Sequence, residues 1–263
     1  MKKTLTLVAS LMCMGLAGCG GGGGGGSTST ATTTSTTGST PTLLAAQGVY
    51  EGTTSNGNAF DLLLLENGTY YTLVGSQTGG QFQVSQLVQG SGTLNASSFG
   101  SSDLQDYLYN GQVVSGTLQA TVNPGVSIAG TVTEGSSSTT FSGAPPSSST
   151  YDYNATPSLT PILGSWTLGT LQGASAAVTV NSDGTFSGSS GGCSFTGTLT
   201  PRSSGKNVFD ATVSFGPSPC VLANGTASGI ALSYPIAGTS QTQLLVAAVD
   251  PTRTYGTVLF GQR

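Results

Sequence analysis

The sequence predicts an all-β protein that carries two small antiparallel β-barrel or β-sandwich domains in tandem after a disordered tether. Apolar and polar residues alternate with period two in many short segments, turn-forming dipeptides separate these segments, and similar segments recur in both halves of the chain. Alternation with period two is typical of a strand with one buried and one wet face. Many such strands joined by tight turns indicate an antiparallel sandwich or barrel.

The clearest strands are predicted over Val114 to Val122, Phe209 to Phe215 and Ile230 to Tyr234, where every second residue is apolar or small. Asn67-Gly68 and Asp183-Gly184 stand between such runs, and both dipeptides favour hairpin turns. Glycines inside strands, among them Gly116, Gly130 and Gly229, fit the bends of a small closed barrel. The best short candidate for a helix is Ser101 to Tyr109.

Short motifs recur in the two halves and predict an internal duplication. Three pairs match: Gly48-Val49-Tyr50 with Gly164-Ser165-Trp166, Asn67-Gly68-Thr69-Tyr70 with Asp183-Gly184-Thr185-Phe186, and Ser91-Gly92-Thr93-Leu94 with Thr196-Gly197-Thr198-Leu199. The first two pairs are both separated by 116 residues. The third separation is smaller, so the first copy carries about 11 extra residues before this strand. The alternative is chance recurrence of Gly-Thr-aromatic in a Gly/Thr-rich chain.

The N-terminal segment has the three parts of a secretory signal peptide. Lys2 and Lys3 are basic, Thr4 to Gly15 is apolar and too short to cross a bilayer stably, and small residues follow. Leu16-Ala17-Gly18-Cys19 resembles the lipobox of bacterial lipoproteins. The resemblance implies cleavage before Cys19 and lipidation of Cys19, which holds a protein on a membrane when two or more chains are attached. Gly20, where an aspartate would favour the inner membrane, implies delivery to the outer membrane.

A glycine run from Gly20 to Gly26 and a Ser/Thr-rich stretch to Thr42 follow the lipobox. Such a segment cannot build a core and acts as a flexible tether. This layout is similar to that of Gram-negative surface lipoproteins such as transferrin-binding protein B and the factor H-binding proteins. The resemblance implies binding at the cell surface and covers no binding residue.

The chain is therefore predicted to consist of five segments. They are a lipoprotein signal peptide (1–18), the lipidated cysteine and its tether (19–43), a first β-domain (44–143), a Pro/Ser-rich linker (144–161) and a second β-domain (162–263) with a disulfide.

Charged residues are only 6% of the chain, against about 25% in average proteins. After signal cleavage the basic residues are Arg202, Lys206, Arg253 and Arg263. Nucleic-acid binding needs clusters of basic residues that neutralise phosphates, so no nucleic-acid partner is predicted. Electrostatic attraction to anionic lipid is disfavoured for the same reason.

Four cysteines are present, of which Cys13 leaves with the signal peptide and Cys19 takes the lipid. Cys193 and Cys220 are expected to form a disulfide in an oxidising compartment. Its loop of about 28 residues stabilises the fold by about 3–4 kcal/mol in the chain-entropy model. A metal site on this pair would lack companion ligands because the chain has no histidine. No metal and no cofactor is predicted.

The absence of histidine also removes Ser-His-Asp and Cys-His catalysis. Paired carboxylates are the remaining route to acid–base chemistry. Asp103 and Asp106 are interpreted as a solvated turn, and Asp61 and Glu66 are expected to face water. No catalytic residue is predicted, and the protein is expected not to be an enzyme.

Aromatic residues supply the remaining candidates. Tyr50, Trp166 and Phe186 are expected in the core, with a ligand cavity as the alternative. Exposed tyrosines are favoured at protein interfaces, and six are candidates on alternation alone: Tyr70, Tyr71, Tyr107, Tyr109, Tyr151 and Tyr153.

The leading functional hypothesis is an outer-membrane lipoprotein, held by its N-terminal lipid, that binds an extracellular protein or glycan without catalysis. The alternatives are a periplasm-facing accessory of envelope assembly and a calycin-like carrier of a small apolar ligand. The carrier hypothesis predicts an empty apolar interior in one half of the protein. An enzyme predicts two carboxylates that converge in one cleft.

Overall fold

The structure, a computed structural model, describes residues 42–78, 81–147 and 149–263. The described residues belong to one compact unit, Ser39–Arg263. The predicted signal peptide, Cys19 and most of the predicted tether lie outside the described residues. The fold is all-β and contains two eight-stranded antiparallel barrels in tandem, so the predicted fold class is confirmed, with barrels in place of the sandwich alternative.

The first barrel is an up-and-down arrangement in which β4 pairs with β6 and β1 pairs with β9 to close the ring. Short β5 pairs with the start of β6. The strands are β1 (Gly48–Thr54), β2 (Ala59–Leu64), β3 (Thr69–Thr78), β4 (Gln81–Ser91), β5 (Thr93–Asn95), β6 (Ser98–Leu108), β7 (Val113–Asn123), β8 (Ser127–Glu134) and β9 (Ser137–Ala144).

The second barrel repeats this arrangement with eight strands in sequence order, closed where β10 pairs with β17. The strands are β10 (Gly164–Thr170), β11 (Ser175–Val180), β12 (Thr185–Ser190), β13 (Cys193–Pro201), β14 (Phe209–Phe215), β15 (Thr226–Pro235), β16 (Thr242–Val249) and β17 (Gly256–Gln262). Because consecutive strands run in opposite directions, alternate hairpins meet at the same end of the barrel.

Each barrel begins with one short helical turn, and an aromatic side chain bonds back to it. The turns are α1 (Leu43–Ala46) and a 3-10 turn over Thr160–Ile162. The Tyr50 hydroxyl donates to the carbonyl of Ala46 at 2.8 Å, and Trp166 Nε1 donates to the carbonyl of Ile162 at 2.7 Å. In both copies the donor lies four residues after the acceptor, which supports the predicted internal duplication.

The hairpins of the two copies agree as well. Gly68 and Gly184 both have a positive φ, as tight turns often require of glycine. Tyr70 pairs with Gly90 in the first barrel, and Phe186 pairs with Gly197 in the second. The equivalent of Gly197 is therefore Gly90, so the predicted match of Ser91–Leu94 with Thr196–Leu199 is wrong by two residues. The extra residues of the first copy lengthen the β3–β4 hairpin.

The segment Ser101 to Tyr109 is not helical, and the prediction of a short helix there is wrong. Its residues up to Leu108 belong to β6, in which the register shifts between Ser101 and Leu104. A bulge adds residues to one strand and breaks its period of two. The buried residues Leu104 and Tyr107 are consequently three positions apart, which imitates helical spacing.

The two barrels pack against each other through a shared apolar cluster. Outward-facing residues of β2, β3, β4 and β6 meet outward-facing residues of β15, β16 and β17, and two linker tyrosines join them. Buried members are Leu63, Leu65, Leu73, Leu87, Tyr107, Tyr153, Leu171, Val208, Ile230, Leu232, Ala247, Val249 and Val258. Burial of so much apolar surface makes the two barrels one packed body.

Candidate functional site

The interior of the second barrel contains a cavity of about 470 Å³. This volume lies in the range of pockets that hold small organic ligands, about 300–1,000 Å³. Its apolar wall is formed by inward-facing side chains of seven strands: Leu168, Ala176, Val178, Val180, Phe186, Phe195, Leu199, Val213, Phe215, Leu244, Val246, Ala248 and Leu259. The same residues belong to the hydrophobic core of this barrel, so the core is built around empty space.

The cavity exists because the inner wall carries several small side chains. Buried alanines face inward from four strands: Ala176, Ala211, Ala227, Ala231 and Ala248. An eight-stranded barrel is just wide enough for large side chains to fill, or for one small ligand when the side chains are short. The size of the inward side chains therefore decides between a packed core and a binding site.

The first barrel shows the other outcome. Its interior retains a void of only about 60 Å³. On β2, Phe60, Leu62 and Leu64 face inward, and their register equivalents on β11 are Ala176, Val178 and Val180. Each equivalent in the second barrel is smaller. The carrier hypothesis required an empty apolar interior in one half, and the second half has one.

One end of the cavity is closed. Ile162, Phe209 and the Trp166 indole are buried at this end of the barrel. The Arg263 guanidinium lies 4.2 Å from the centre of the indole ring and donates to the carbonyl of Ser165 at 3.1 Å. A cation over an aromatic face is attractive, so this contact holds the closed end together.

The other end, which we call the open end, is formed by the β10–β11, β12–β13, β14–β15 and β16–β17 hairpins. The cavity lining continues into these loops through Gln172, Gly191, Pro219 and Val221. Val221 is 76% exposed and adds an apolar side chain to the rim of the cavity. Gly111, from the β6–β7 hairpin of the first barrel, also contributes to the lining.

A disulfide holds the open end. Cys193 and Cys220 are bonded, as predicted, and Cys193 lines the cavity. The bond ties the β14–β15 loop to the first residue of β13. The backbone N–H of Gly216 adds a 2.8 Å hydrogen bond to the carbonyl of Ser194. The loop that carries Val221 is therefore fixed to the barrel wall on one side.

The lining of the cavity is uncharged. Among the described residues its lining contains no Asp, Glu, Lys or Arg side chain. Its polar side chains are all at the open end and are Thr170, Gln172, Ser190, Tyr255 and Thr257. Burial raises the pKa of the Tyr255 phenol, so this group stays protonated at neutral pH.

The aromatic candidates of the sequence fall into three groups. Phe186 lines the cavity, while Tyr50 and Trp166 are core residues that cap their barrels. The expectation of exposed tyrosines is wrong for the three buried ones, Tyr70, Tyr107 and Tyr153, and holds for Tyr109, which is 64% exposed. Tyr71 and Tyr151 are half-buried against the inter-barrel cluster. The second barrel covers the outward face of β3 that carries Tyr71, and Tyr151 lies in the linker outside the strands, so neither has the exposure that was expected.

Asp103 and Asp106 do not form a solvated turn, and that interpretation is wrong. Both lie on β6, and Asp106 is 3% exposed inside the first barrel. Gln86 Nε2 donates to its Oδ2 at 3.0 Å. Burial and the nearby charge of Glu134 raise the pKa of Asp106 to about 7. Asp103 accepts hydrogen bonds from the backbone and hydroxyl of Ser91, each at 2.8 Å.

Glu66 was expected to face water, but it lies between the barrels. Its Oε1 accepts from Arg202 Nε at 2.8 Å, and its Oε2 accepts from the Tyr153 hydroxyl at 3.3 Å. Burial would raise the pKa of Glu66, yet the hydrogen bonds and the charge of Arg202 outweigh it and hold the pKa below its ordinary value. Glu66 is a structural residue.

A second cavity, of about 490 Å³, lies between the barrels and brings two carboxylates together. Glu51 and Asp61 face each other directly across β1 and β2, and both side chains are exposed to this cleft. The cleft walls reduce hydration, and the facing charge of Glu51 adds repulsion, so the pKa of Asp61 is raised to about 6. Asp61 thus faces solvent as expected, but it converges with Glu51 in one cleft, which is the arrangement that the enzyme hypothesis predicted.

No metal centre emerges in the part of the chain that the structure describes, because no three potential ligands among His, Cys, Asp and Glu come together there. Within the same residues, neither helical turn has the length and apolarity needed to cross a bilayer. A comparison of the chain with protein-family models, with curated proteins and with solved structures found no match in any of the three.

The small residues of the cavity wall were not predicted from the sequence, although the internal duplication indicates them. The internal duplication places Ala176 at the position of Phe60, with the same 116-residue separation as Tyr50 and Trp166. A position-by-position comparison of inward residues in the two copies would have shown that the second barrel is less well filled.

Proposed function

We propose that this protein is a membrane-tethered binding protein that holds a small apolar ligand inside its second barrel. The observation that carries the proposal is the cavity of about 470 Å³, walled by apolar side chains and open among the loops at one end. Cavities lined by apolar side chains accept apolar guests. Each Å² of apolar ligand surface that binding removes from water contributes about 25 cal/mol of favourable free energy.

Among the three hypotheses raised by the sequence, the cavity favours the carrier over surface adhesion and envelope assembly. The first barrel, with its filled interior, has a different part. It packs against the outer face of β15, β16 and β17 and places Gly111 at the open end. Its role in this proposal is to support the binding barrel and to complete its rim.

The membrane tether in this proposal rests on the N-terminal motif Leu16-Ala17-Gly18-Cys19 and the glycine run after it. A lipidated Cys19 would place the binding barrel near an outer membrane, which is a store of apolar molecules. The test is a Cys19→Ala variant of the full chain, expressed in a Gram-negative host with a labelled fatty acid. Label on the wild-type protein and its loss in the variant support the tether, whereas equal labelling of both contradicts it.

Ligand binding is tested with N-phenyl-1-naphthylamine, an uncharged apolar dye whose fluorescence rises in a dry site. We expect saturable binding to the wild-type protein. Ala176→Phe, which places in the second barrel the residue found at the equivalent position of the first, should abolish binding. It should also raise the melting temperature, since filling a cavity stabilises by about 0.5–2 kcal/mol.

The matched control is Ala177→Phe, the same change one position along β11, where the side chain is exposed on the outside of the barrel. It should leave dye binding unchanged. Absence of dye binding to the wild-type protein, or equal loss in both variants, would overturn the proposed function.

A further inference from the structure

We infer that the ligand of the second barrel is an uncharged amphiphile, with an apolar tail that enters the barrel and a neutral hydrogen-bonding head that stays at the open end. This inference rests on the proposed function and specifies the chemical class of its ligand. It follows from two observations: the position of the polar groups along the cavity, and the partners of the basic residues that the structure describes.

The deep part of the cavity offers only apolar contacts. Ala176, Val178 and Val180 line it in order along β11. A strand rises about 3.4 Å per residue and tilts by about 35–45° in a barrel, so these three positions span about 10 Å along the barrel axis. A polar head at that depth would lose its hydration without a partner, which costs several kcal/mol. The tail must therefore point inward.

The open end offers neutral hydrogen-bonding groups. The Thr257 hydroxyl donates to Gln172 Oε1 at 3.3 Å, and the Ser190 hydroxyl donates to the carbonyl of Ser175 at 2.9 Å. In the described part of the protein, Gln172 Nε2 donates to no acceptor. A ligand hydroxyl or carbonyl at this level can accept from Nε2 and bond to the surrounding hydroxyls.

Among the described residues, no basic side chain lines the cavity, and each one has a partner elsewhere in the fold. Arg202 is paired with Glu66 and Asp210, and Arg253 with Asp103. Lys206 Nζ donates to Asn154 Oδ1 at 2.7 Å.

Arg263, the fourth basic residue after the signal peptide, lies over the Trp166 indole at the closed end. A carboxylate or phosphate at the rim would therefore stand against an uncharged wall in a protein of net negative charge. A neutral head avoids that cost, and this separates the expected ligand from free fatty acids and phospholipids.

The experiment measures displacement of N-phenyl-1-naphthylamine from the full-length protein at pH 8 by dodecanol, dodecanoate and dodecylamine, all below their aggregation concentrations. We expect dodecanol to displace the dye at concentrations at least about tenfold lower than either charged analogue. A tenfold difference in affinity corresponds to about 1.4 kcal/mol. Dodecanoate or dodecylamine that matches or exceeds dodecanol overturns the inference while the proposed function stands. Failure of the dye itself to bind overturns both.

Gln172→Lys tests the same inference by gain of function. A lysine at the rim supplies the missing counter-charge and should raise the affinity for dodecanoate above that for dodecanol. Gln119→Lys, on the exposed outer face of β7, is the matched control and should leave the wild-type preference for dodecanol unchanged. The melting temperature of each variant verifies that it folds. Unchanged preference in a folded Gln172→Lys protein, or an equal change in both variants, counts against the inference.

Discussion

Arg202 in the second barrel donates from Nε to Glu66 in the first, over 2.8 Å. The two side chains are 13% and 23% exposed, so the pair is largely withdrawn from water. Arg202 also contacts Asp210, and the Tyr153 hydroxyl reaches Glu66 from the linker. Arg202 therefore joins a turn of the first barrel to a strand of the second, and Glu66 adds the bond to the linker.

Loss of the Glu66 charge should weaken this junction. We expect Glu66→Gln to lower the free energy of unfolding by about 1–3 kcal/mol at pH 7 in urea, the usual worth of a charged hydrogen bond. The folded pKa of Glu66 is below its ordinary value of 4.5, so its contribution is present above that pH and is lost as the pH falls through the folded pKa. The difference between variant and wild type should therefore shrink in acid.

Glu51→Gln is the control for this prediction, because burial raises the pKa of Glu51 and its partner across the strands is the like-charged Asp61. That substitution should be neutral or stabilising at pH 7. Equal losses in the two variants would show that the junction is not specific to Glu66.

Asp106 should make the protein less stable at neutral pH than in mild acid. Its folded pKa is about 7 and its unfolded pKa is about 3.8, so the folded state binds the proton more tightly. The contribution of this group to the free energy of unfolding then falls as the pH rises from about 4 to about 7. We expect Asp106→Asn to reduce this dependence, with the share that comes from Asp61 remaining, and to raise the melting temperature at pH 8.

Asp183 provides a contrast of opposite sign. Hydrogen bonds from the Thr185 hydroxyl and N–H lower the pKa of this exposed carboxylate. Asp183→Asn should therefore leave the fall in stability between pH 4 and pH 7 intact. A wild-type melting temperature that rises steadily to pH 8, with no gain in Asp106→Asn, is incompatible with a buried acid at position 106.

The disulfide should contribute to stability and to the order of the rim. The double variant Cys193→Ser with Cys220→Ser is expected to lose about 3–4 kcal/mol in guanidinium unfolding, from the entropy of a closed loop of this length. Reductant should lower the free energy of unfolding of the wild-type protein by a similar amount. It should leave the free energy of unfolding of the double variant unchanged. A reductant effect on the variant would point to a cause other than this bond.

Gly256 allows close packing of the barrels against each other. A Cβ on Gly256 would lie 2.6 Å from Cγ of the Tyr107 ring. We expect Gly256→Ala to cost about 1–3 kcal/mol through overpacking, with much less cost in a Tyr107→Ala background. Gly169→Ala in β10, where the nearest atoms are 3.6 Å from the added Cβ, should be nearly neutral. Equal effects at both glycines would refute the role of Tyr107.

The strands and turns were predictable because local chemistry sets them. Alternation over Val114 to Val122 and Phe209 to Phe215 marked strands that the structure contains, and Asp183-Gly184 marked a turn. The pairing of Cys193 with Cys220 followed from the number of cysteines and the expected compartment. The duplication was visible because equivalent turns need the same residues, as at Gly68 and Gly184.

The sequence by itself thus determined the strand content, the tandem repeat and the disulfide, all of which depend on neighbours along the chain or on counting. Only the tertiary structure decided that the barrels close, that Glu66 and Tyr107 lie between them and that Asp106 is buried. Period-two alternation states which face a side chain takes, but not whether a second body covers that face. The cavity is likewise set by the tertiary structure. Its volume is the space that the closed barrel encloses minus the total volume of the inward side chains on seven strands.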